Sequence, residues 1–306
     1  MLSFKKVALN DIKTIKPYFY LSTNKTCDNT MGGTYMWRDY FSVEYAIQNE
    51  TLIFKVKVKY HNGINAFTLP IGKDIYGTIM EIEKFCRYAE IPIAFCTVTE
   101  EELTLLTTIF NDTRIYKEDN WSDYLYRVND IVNLVGRKYS GQRNHINAFK
   151  RAYENYSFEE ITKRNVNEVK DFYTYLNLTT NKKSDVFIEE QTKTFEVLDN
   201  YNLYGMIGGI LRVNGAIAAF SIGEIYNNVL FIHIEKADLK YRGVSQVINN
   251  EFAKYYASSV VEYVNREEDV GDEGLRASKQ SYHPCEIISK YLVVVNKNEY
   301  VSNEKD

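Results

Sequence analysis

The run 229–236, VLFIHIEK, holds two groups able to move protons. A strand alternates its faces, so Phe231, His233 and Glu235 are expected on one side and Leu230, Ile232 and Ile234 on the other. An imidazole and a carboxylate two residues apart, near a strand end, are suited to take a proton from a substrate. An exposed sheet face with an incidental pair is the alternative, since such groups mark sites only statistically. Directly afterwards comes Lys240-Tyr241-Arg242-Gly243-Val244-Ser245, opening a helix. Gly243 lets backbone approach a ligand closely. The N–H groups of Val244 and Ser245 at a helix start favour an anion, and Lys240 and Arg242 add charge. An ordinary strand-to-helix turn would look the same.

The densest polar stretch runs from Asn265 through Arg266, Glu267, Glu268, Asp269, Asp272 and Glu273 to Arg276, leading to Lys279, Tyr282, His283 and Pro284. It follows an apolar strand, so its charges gather where open sheets usually bind ligands. Its five carboxylates and two arginines can pair with one another, orient a substrate amine or stand in solvent. Earlier, 137–151 carries Arg137, Lys138, Arg143, Lys150 and Arg151 without an acid, plus His145. Such a stripe can contact phosphates of a tRNA end or nucleotide, with Tyr139 stacked on a base, but is too small for a long duplex. The alternative is a solvated helix face backed by Ile146, Phe149 and Tyr153.

The elements that position these groups follow from period and punctuation. Residues 42–48, 52–59 and 64–69 read as strands, with turns at Asn49-Glu50 and Asn62-Gly63. A helix opens at Asp74, followed by a strand at 91–98, a helix from about Glu100 and a strand around 114–128. A linking amphipathic helix covers 137–153. Beyond it, 165–176 and 187–201 are helical, and 206–213, 216–226 and 229–237 are strands. A helix over 245–258, a strand at 260–265, a short helix at 273–282 and a strand at 288–295 complete the chain. Residues 3–21 (SFKKVALNDIKTIKPYFYL) and 157–176 (SFEEITKRNVNEVKDFYTYL) match in pattern, and the elements after each recur in the same order. A period this long points to two copies of one domain, not a solenoid. The expected division is 1–136, a linking segment 137–156, and 157–306.

Whole-chain properties narrow the function. The 306 residues are 45% hydrophobic and 25% charged, as in a globular protein with a real core. A net charge of -4 and a pI near 5.8 exclude bulk attraction to nucleic acid or anionic lipid. Cys27, Cys86, Cys96 and Cys285 lack C-x-x-C spacing, and three lie in stretches reading as buried helix or strand. Reduced core cysteines and no metal site are expected. No charged-then-apolar leader opens the chain and no uncharged run is long enough to span a bilayer, so a soluble, cytoplasmic protein is expected.

The order of elements, with Lys240-x-x-Gly243-x-Ser245 at the third helix, resembles the GNAT acyltransferase fold, whose R/Q-x-x-G-x-G/A loop holds an acyl-CoA pyrophosphate. The equivalent place in the first half, Leu69-Pro70-Ile71-Gly72-Lys73-Asp74, lacks that motif. The string N-R-E-E-D-V-G-x-E-G-L-R-x-x-K-x-S-Y-H-P over 265–284 resembles the C-terminal domain of lysylphosphatidylglycerol synthetases and their stand-alone relatives. So does Lys138-Tyr139 … Arg143-Asn144-His145-Ile146-Asn147-x-Phe149-Lys150. The resemblance implies an α+β fold of two tandem GNAT-like domains, each a mixed, mostly antiparallel sheet flanked by helices. It also implies acyl or aminoacyl transfer from aminoacyl-tRNA or acyl-CoA as co-substrate, with no tightly bound cofactor. The acceptor would be an amine or hydroxyl on a small molecule or lipid headgroup. In that scheme Glu235 deprotonates the acceptor, Tyr282 protonates the leaving group, and Arg266 and Asp269 orient the substrate. Lys240, Arg242, Gly243, Val244 and Ser245 hold the donor, while Lys138, Arg143, His145 and Lys150 contact substrate or tRNA. A non-catalytic binding module that keeps the fold is the alternative.

Overall fold

The computed structural model describes residues 2–178 and 184–296; the expected end of the second unit, 297–306, lies outside them. In the first half, Lys5–Lys6 (β1), Glu44–Gln48 (β2), Thr51–Val58 (β3), Ile64–Phe67 (β4) and Ile71–Gly72 (β5) are strands. They are followed by Ala94–Val98 (β6), Thr113–Lys117 (β7) and Asp123–Arg127 (β8). Ile12–Phe19 (α1), Met31–Met36 (α2), Ile75–Tyr88 (α3), Glu100–Ile109 (α4) and Val128–Asn133 (α5) are helices, and Ser140–Ala152 (α6) links the halves. The second half adds Tyr156–Glu160 (β9), Val166–Leu178 (α7), Asp185–Asp199 (α8), Tyr201–Tyr204 (α9) and the meander Ile207–Val213 (β10), Ala216–Tyr226 (β11) and Val229–Ala237 (β12). Val244–Tyr256 (α10), Tyr263–Asn265 (β13), Glu273–Gln280 (α11), Glu286–Ile288 (β14) and Tyr291–Val295 (β15) complete it.

Local chemistry explains the boundaries. Asn62 and Gly63 both take positive φ, 55° and 70°, as does the pair Asn214 and Gly215, at 50° and 82°. Asn214-Gly215 is a two-residue hairpin turn between Val213 and Ala216, whereas Asn62-Gly63 closes a five-residue loop after the 3-10 turn Lys59–His61. Asp74 caps α3 by accepting from the Gly77 amide at 2.9 Å, and Thr99 with Glu102 forms a capping box on α4. Helical spacing brings Ile79, Ile82 and Cys86 to the buried side of α3.

The fold is α+β, with two mixed sheets flanked by helices. One sheet runs β1-β2-β3-β4-β6-β15-β7, with β5 beside β3; the other runs β9-β10-β11-β12-β13-β8-β14. The sixth place in each sheet is filled by a strand from the opposite half of the chain. The expected single strand over 114–128 is therefore two strands in two sheets, and 291–295 completes the first sheet instead of the second. Five intervening residues, including the turn Asp119–Trp121, give β8 room to cross over. Val7, Phe19 and Tyr35 share one core with Val169, Phe172 and Phe220, so the lobes are packed as one unit.

Two features of the second sheet shape the site. β12 and β13 are parallel and pair only from Val229↔Tyr263 to Phe231↔Asn265, leaving the distal half of β12 split from its neighbour. β12 also bulges, because Ile222 faces Ile234 while the next residue, Gly223, faces Ile232. His233 is the extra residue, and one extra residue flips every later side chain. Phe231 and Ile234 accordingly share the inter-lobe core, whereas Leu230 and Ile232 pack under α10. The expected common face for His233 and Glu235 is overturned by this bulge: the two point to opposite sides.

Candidate functional site

Glu235 lies beyond the point where β12 and β13 separate. Its carboxylate is 3.3 Å from Asn249 Nδ2 on α10 and 3.4 Å from Arg266 Nη2 at the end of β13. The Arg266 guanidinium lies over the Tyr282 ring, 5.1 Å from its centroid. Tyr282 is buried against Tyr126, and burial pushes its hydroxyl up to about 12 against the opposing pull of Arg266. Glu235, Arg266 and Tyr282 are thus brought together. Among the described residues, Nη1 of Arg266, Oδ1 of Asn249 and Oγ of Ser221 are buried here without a hydrogen-bond partner. Ser221 stands directly opposite Glu235 in the β11–β12 register. Buried polar atoms are nearly always paired, so three orphans beside one carboxylate mark a place built for a polar guest. Glu235 also lines a cavity of about 480 Å³ with Tyr173, Phe187, Lys240 and Ser245.

Asp269 lies in a different network. It accepts from Tyr124 Oη at 2.7 Å, from Arg276 Nε at 2.8 Å and from the Gly271 amide at 2.8 Å. Burial alone would raise its carboxyl, but Arg276 and Tyr124 outweigh it and hold the group below the ordinary carboxylate range. With its oxygens so engaged, Asp269 fixes the loop that carries Arg266.

The donor-loop residues divide as well. A Cβ on Gly243 would lie 2.6 Å from the His145 carbonyl of α6, so the glycine is needed for helix packing. The Val244 amide already donates to Tyr241 O at 3.1 Å, and its side chain is buried. One of the two expected amides is therefore engaged, and α6 packs directly against Gly243. Lys240 pairs with Asp238 at 2.7 Å and, with Ser245, borders the cavity, while Arg242 is exposed.

On the linking helix, Arg143 donates to the carbonyls of Leu134 and Gly136, capping the end of α5. Lys150 ties α6 to α10 through Glu251 at 3.3 Å. Lys138 and His145 remain exposed, alongside Arg137 and Arg151. Tyr139 is fully buried and meets His283 edge-on, so it has no face for a base.

Two buried clusters join residues that the sequence did not connect. His233 is clasped between Glu224 Oε1 at 2.7 Å and Glu267 Oε1 at 2.6 Å, and Glu224 also accepts from the Gly32 amide at 2.8 Å. Burial disfavours a charged ring, but the two carboxylates outweigh it and hold the imidazolium up to about 10. Lys290, a lone lysine beside an apolar strand, is the second centre. Its ammonium reaches Asp28 at 2.6 Å, Asp123 at 2.8 Å and Glu268 at 2.5 Å, with Cys27 Sγ at 3.6 Å. Successive side chains of one segment thus serve four networks: Arg266 meets Glu235, Glu267 meets His233, Glu268 meets Lys290, and Asp269 meets Arg276. Positive φ at Glu267, Val270 and Gly271 makes this fan-out feasible.

Known proteins share this architecture. A conserved protein of unknown function from Bacteroides thetaiotaomicron is 29% identical, with a TM-score of 0.87 over 97% of this chain and 100% of that one. L-PGS from Bacillus licheniformis superposes with a TM-score of 0.66 over 92% of this chain and 91% of that one. At 16% identity that likeness is one of fold. An uncharacterised protein of Mycoplasmoides gallisepticum is 27% identical over 188 residues, which span 60% of this chain and 59% of that protein. No helix among the described residues is long and apolar enough to cross a membrane. The family described as phosphatidylglycerol lysyltransferase, C-terminal, matches residues 19–294, nearly the whole chain, and the chain belongs to it.

Proposed function

We propose that this protein is an aminoacyltransferase that moves an aminoacyl group from aminoacyl-tRNA to an amine or hydroxyl, with Glu235, Arg266 and Tyr282 as its reaction centre. Glu235 accepts the proton of the attacking acceptor as a new C–N or C–O bond forms at the ester carbonyl. The partnerless Nη1 of Arg266 donates to the carbonyl oxygen as negative charge builds on it. Tyr282, neutral at pH 7, gives its proton to the departing ribose oxygen as the ester C–O bond breaks, and recovers one through solvent. Exposed Arg137, Lys138, His145 and Arg151 would hold a tRNA end by its phosphates.

The observation that supports this reading is the gathering of a carboxylate, a guanidinium and a phenol at the strand split, with partnerless buried atoms on Arg266, Asn249 and Ser221. The packing of α6 against Gly243 favours aminoacyl-tRNA over acyl-CoA as donor. The test offers purified protein radiolabelled Lys-, Ala- or Gly-tRNA, or acetyl-CoA, with simple amines, hydroxyl compounds and lipid headgroups as acceptors. Transfer from a charged tRNA that falls at least a hundredfold in Glu235→Gln is the expected result. Transfer from acetyl-CoA instead, or no transfer together with ligand binding unchanged in Glu235→Gln, would replace this reading with a CoA enzyme or a binding module.

A further inference from the structure

A second cavity, of about 90 Å³, lies against the face of the first sheet that carries Phe54, Val56 and Val58, away from the proposed reaction centre. Trp37, Phe41 and Trp121 contribute its aromatic walls, Phe41 and Trp121 meeting edge-on at 5.6 Å. Its charged side is formed by Asp28, Glu268 and the fully buried Lys290. One ammonium there faces three carboxylates, those of Asp28, Asp123 and Glu268. Asp123 has other support, because its Oδ2 accepts from the Cys27 amide and from Asn265 Nδ2, both at 2.7 Å. Glu268 is held by Lys290 and also approached by the Cys27 thiol at 3.2 Å. Asp28 is the exception. Its buried Oδ2 shares the Lys290 ammonium, 2.6 Å away, with two other carboxylates and has no further partner among the described groups. Burial pushes this carboxyl up to about 7 in spite of the neighbouring lysine. The remaining acid on the cavity wall, Glu118, is already paired with His61 at 2.6 Å.

Aromatic walls and an undersupplied carboxylate together select a cation on an apolar arm. An anionic ligand would meet surplus negative charge, and a neutral one would leave Asp28 as it is. We propose that this cavity binds a primary amine carried on a short apolar arm, with the ammonium against Asp28 and the arm between Trp37, Phe41 and Trp121. The site uses none of Glu235, Arg266 or Tyr282.

n-Propylamine is titrated into the full chain by calorimetry at pH 8, with 1-propanol and propionate as controls. The amine is expected to bind at least tenfold more tightly than either control, and Asp28→Asn to remove that preference. Val56→Trp, which fills the cavity without touching a charge, is expected to abolish binding and serves if Asp28→Asn does not fold. Equal binding of amine and alcohol, or amine binding that survives both substitutions, overturns the proposal. Glu235→Gln is expected to keep the amine affinity, so a failed titration and a failed transfer assay are separate results.

Discussion

Replacing His233 by Asn removes the cation clasped by Glu224 and Glu267. The side chain is 1% exposed, so no water is at hand to take over. Deleting one partner of a buried ion pair costs about 3–5 kcal/mol, most of it the penalty of leaving the other charge unpaired. Two carboxylates are stranded here, which places the expected loss at the upper end. At roughly 2 °C per kcal/mol for a chain of this size, the melting temperature at pH 7 should fall by about 8–10 °C. The pH dependence gives a second readout. The folded state holds the imidazolium up to about 10, above its unfolded value, so its stabilisation is complete below about pH 6.5 and is lost as pH rises towards 10. Urea midpoints of the wild type should decline across that window, and those of the variant should decline less. Adding Glu224→Gln to the variant should recover part of the loss by removing one stranded charge. A variant that melts within about 2 °C of wild type, or keeps the same slope from pH 6.5 to 10, refutes the clasp as a source of stability.

Gly32→Ala tests the same contact from the other lobe. Its Cβ would lie 2.3 Å from the His233 ring, and overpacking of this kind should cost about 1–3 kcal/mol in urea unfolding. Gly243→Ala combines a φ of 87° with a clash against the His145 carbonyl, so it should destabilise by about 2–4 kcal/mol. A variant of native stability that loses only donor affinity would return Gly243 to a phosphate role. Asp269→Asn should lower stability at pH 7 by about 1–3 kcal/mol. Because the folded state depresses the Asp269 carboxyl, that stability should vanish as pH falls below about 4, where variant and wild type converge. Reversing charge at Arg137 and Lys138 together should weaken tRNA binding and reduce its salt dependence by about two counterions, as read from filter binding at graded salt.

Periodicity and turn residues made most elements readable in advance. The Asn-Gly hairpins, the capped helix at Asp74 and the stripe of Ile146 and Phe149 all rest on contacts within a few residues. What escaped the sequence depends on distant partners. Strand alternation put His233 and Glu235 on one face, and only the offset between Gly223 and Ile232 reveals the bulge that separates them. Glu224, nine positions before His233, carried no signal until β11 and β12 were paired. Lys290 drew no notice because its carboxylates come from residues 28, 123 and 268, joined by the crossing of β8 and β15. The glycine of the donor loop was legible as a close approach, but what approaches is a helix of the same chain.

The crossing of β8 and β15 also governs how the molecule can be made. Until the ribosome has released the residues just after 290, the first sheet has a gap between β6 and β7, and both bordering strands offer unpaired backbone. Nascent chains thus carry an open template for partners of the wrong kind throughout synthesis of the second lobe. Cutting the gene at the linking helix would yield two fragments, each missing an inner strand, and neither a self-sufficient domain. Mixing them could restore the whole, much as two halves of a zip close only when both runs of teeth are present.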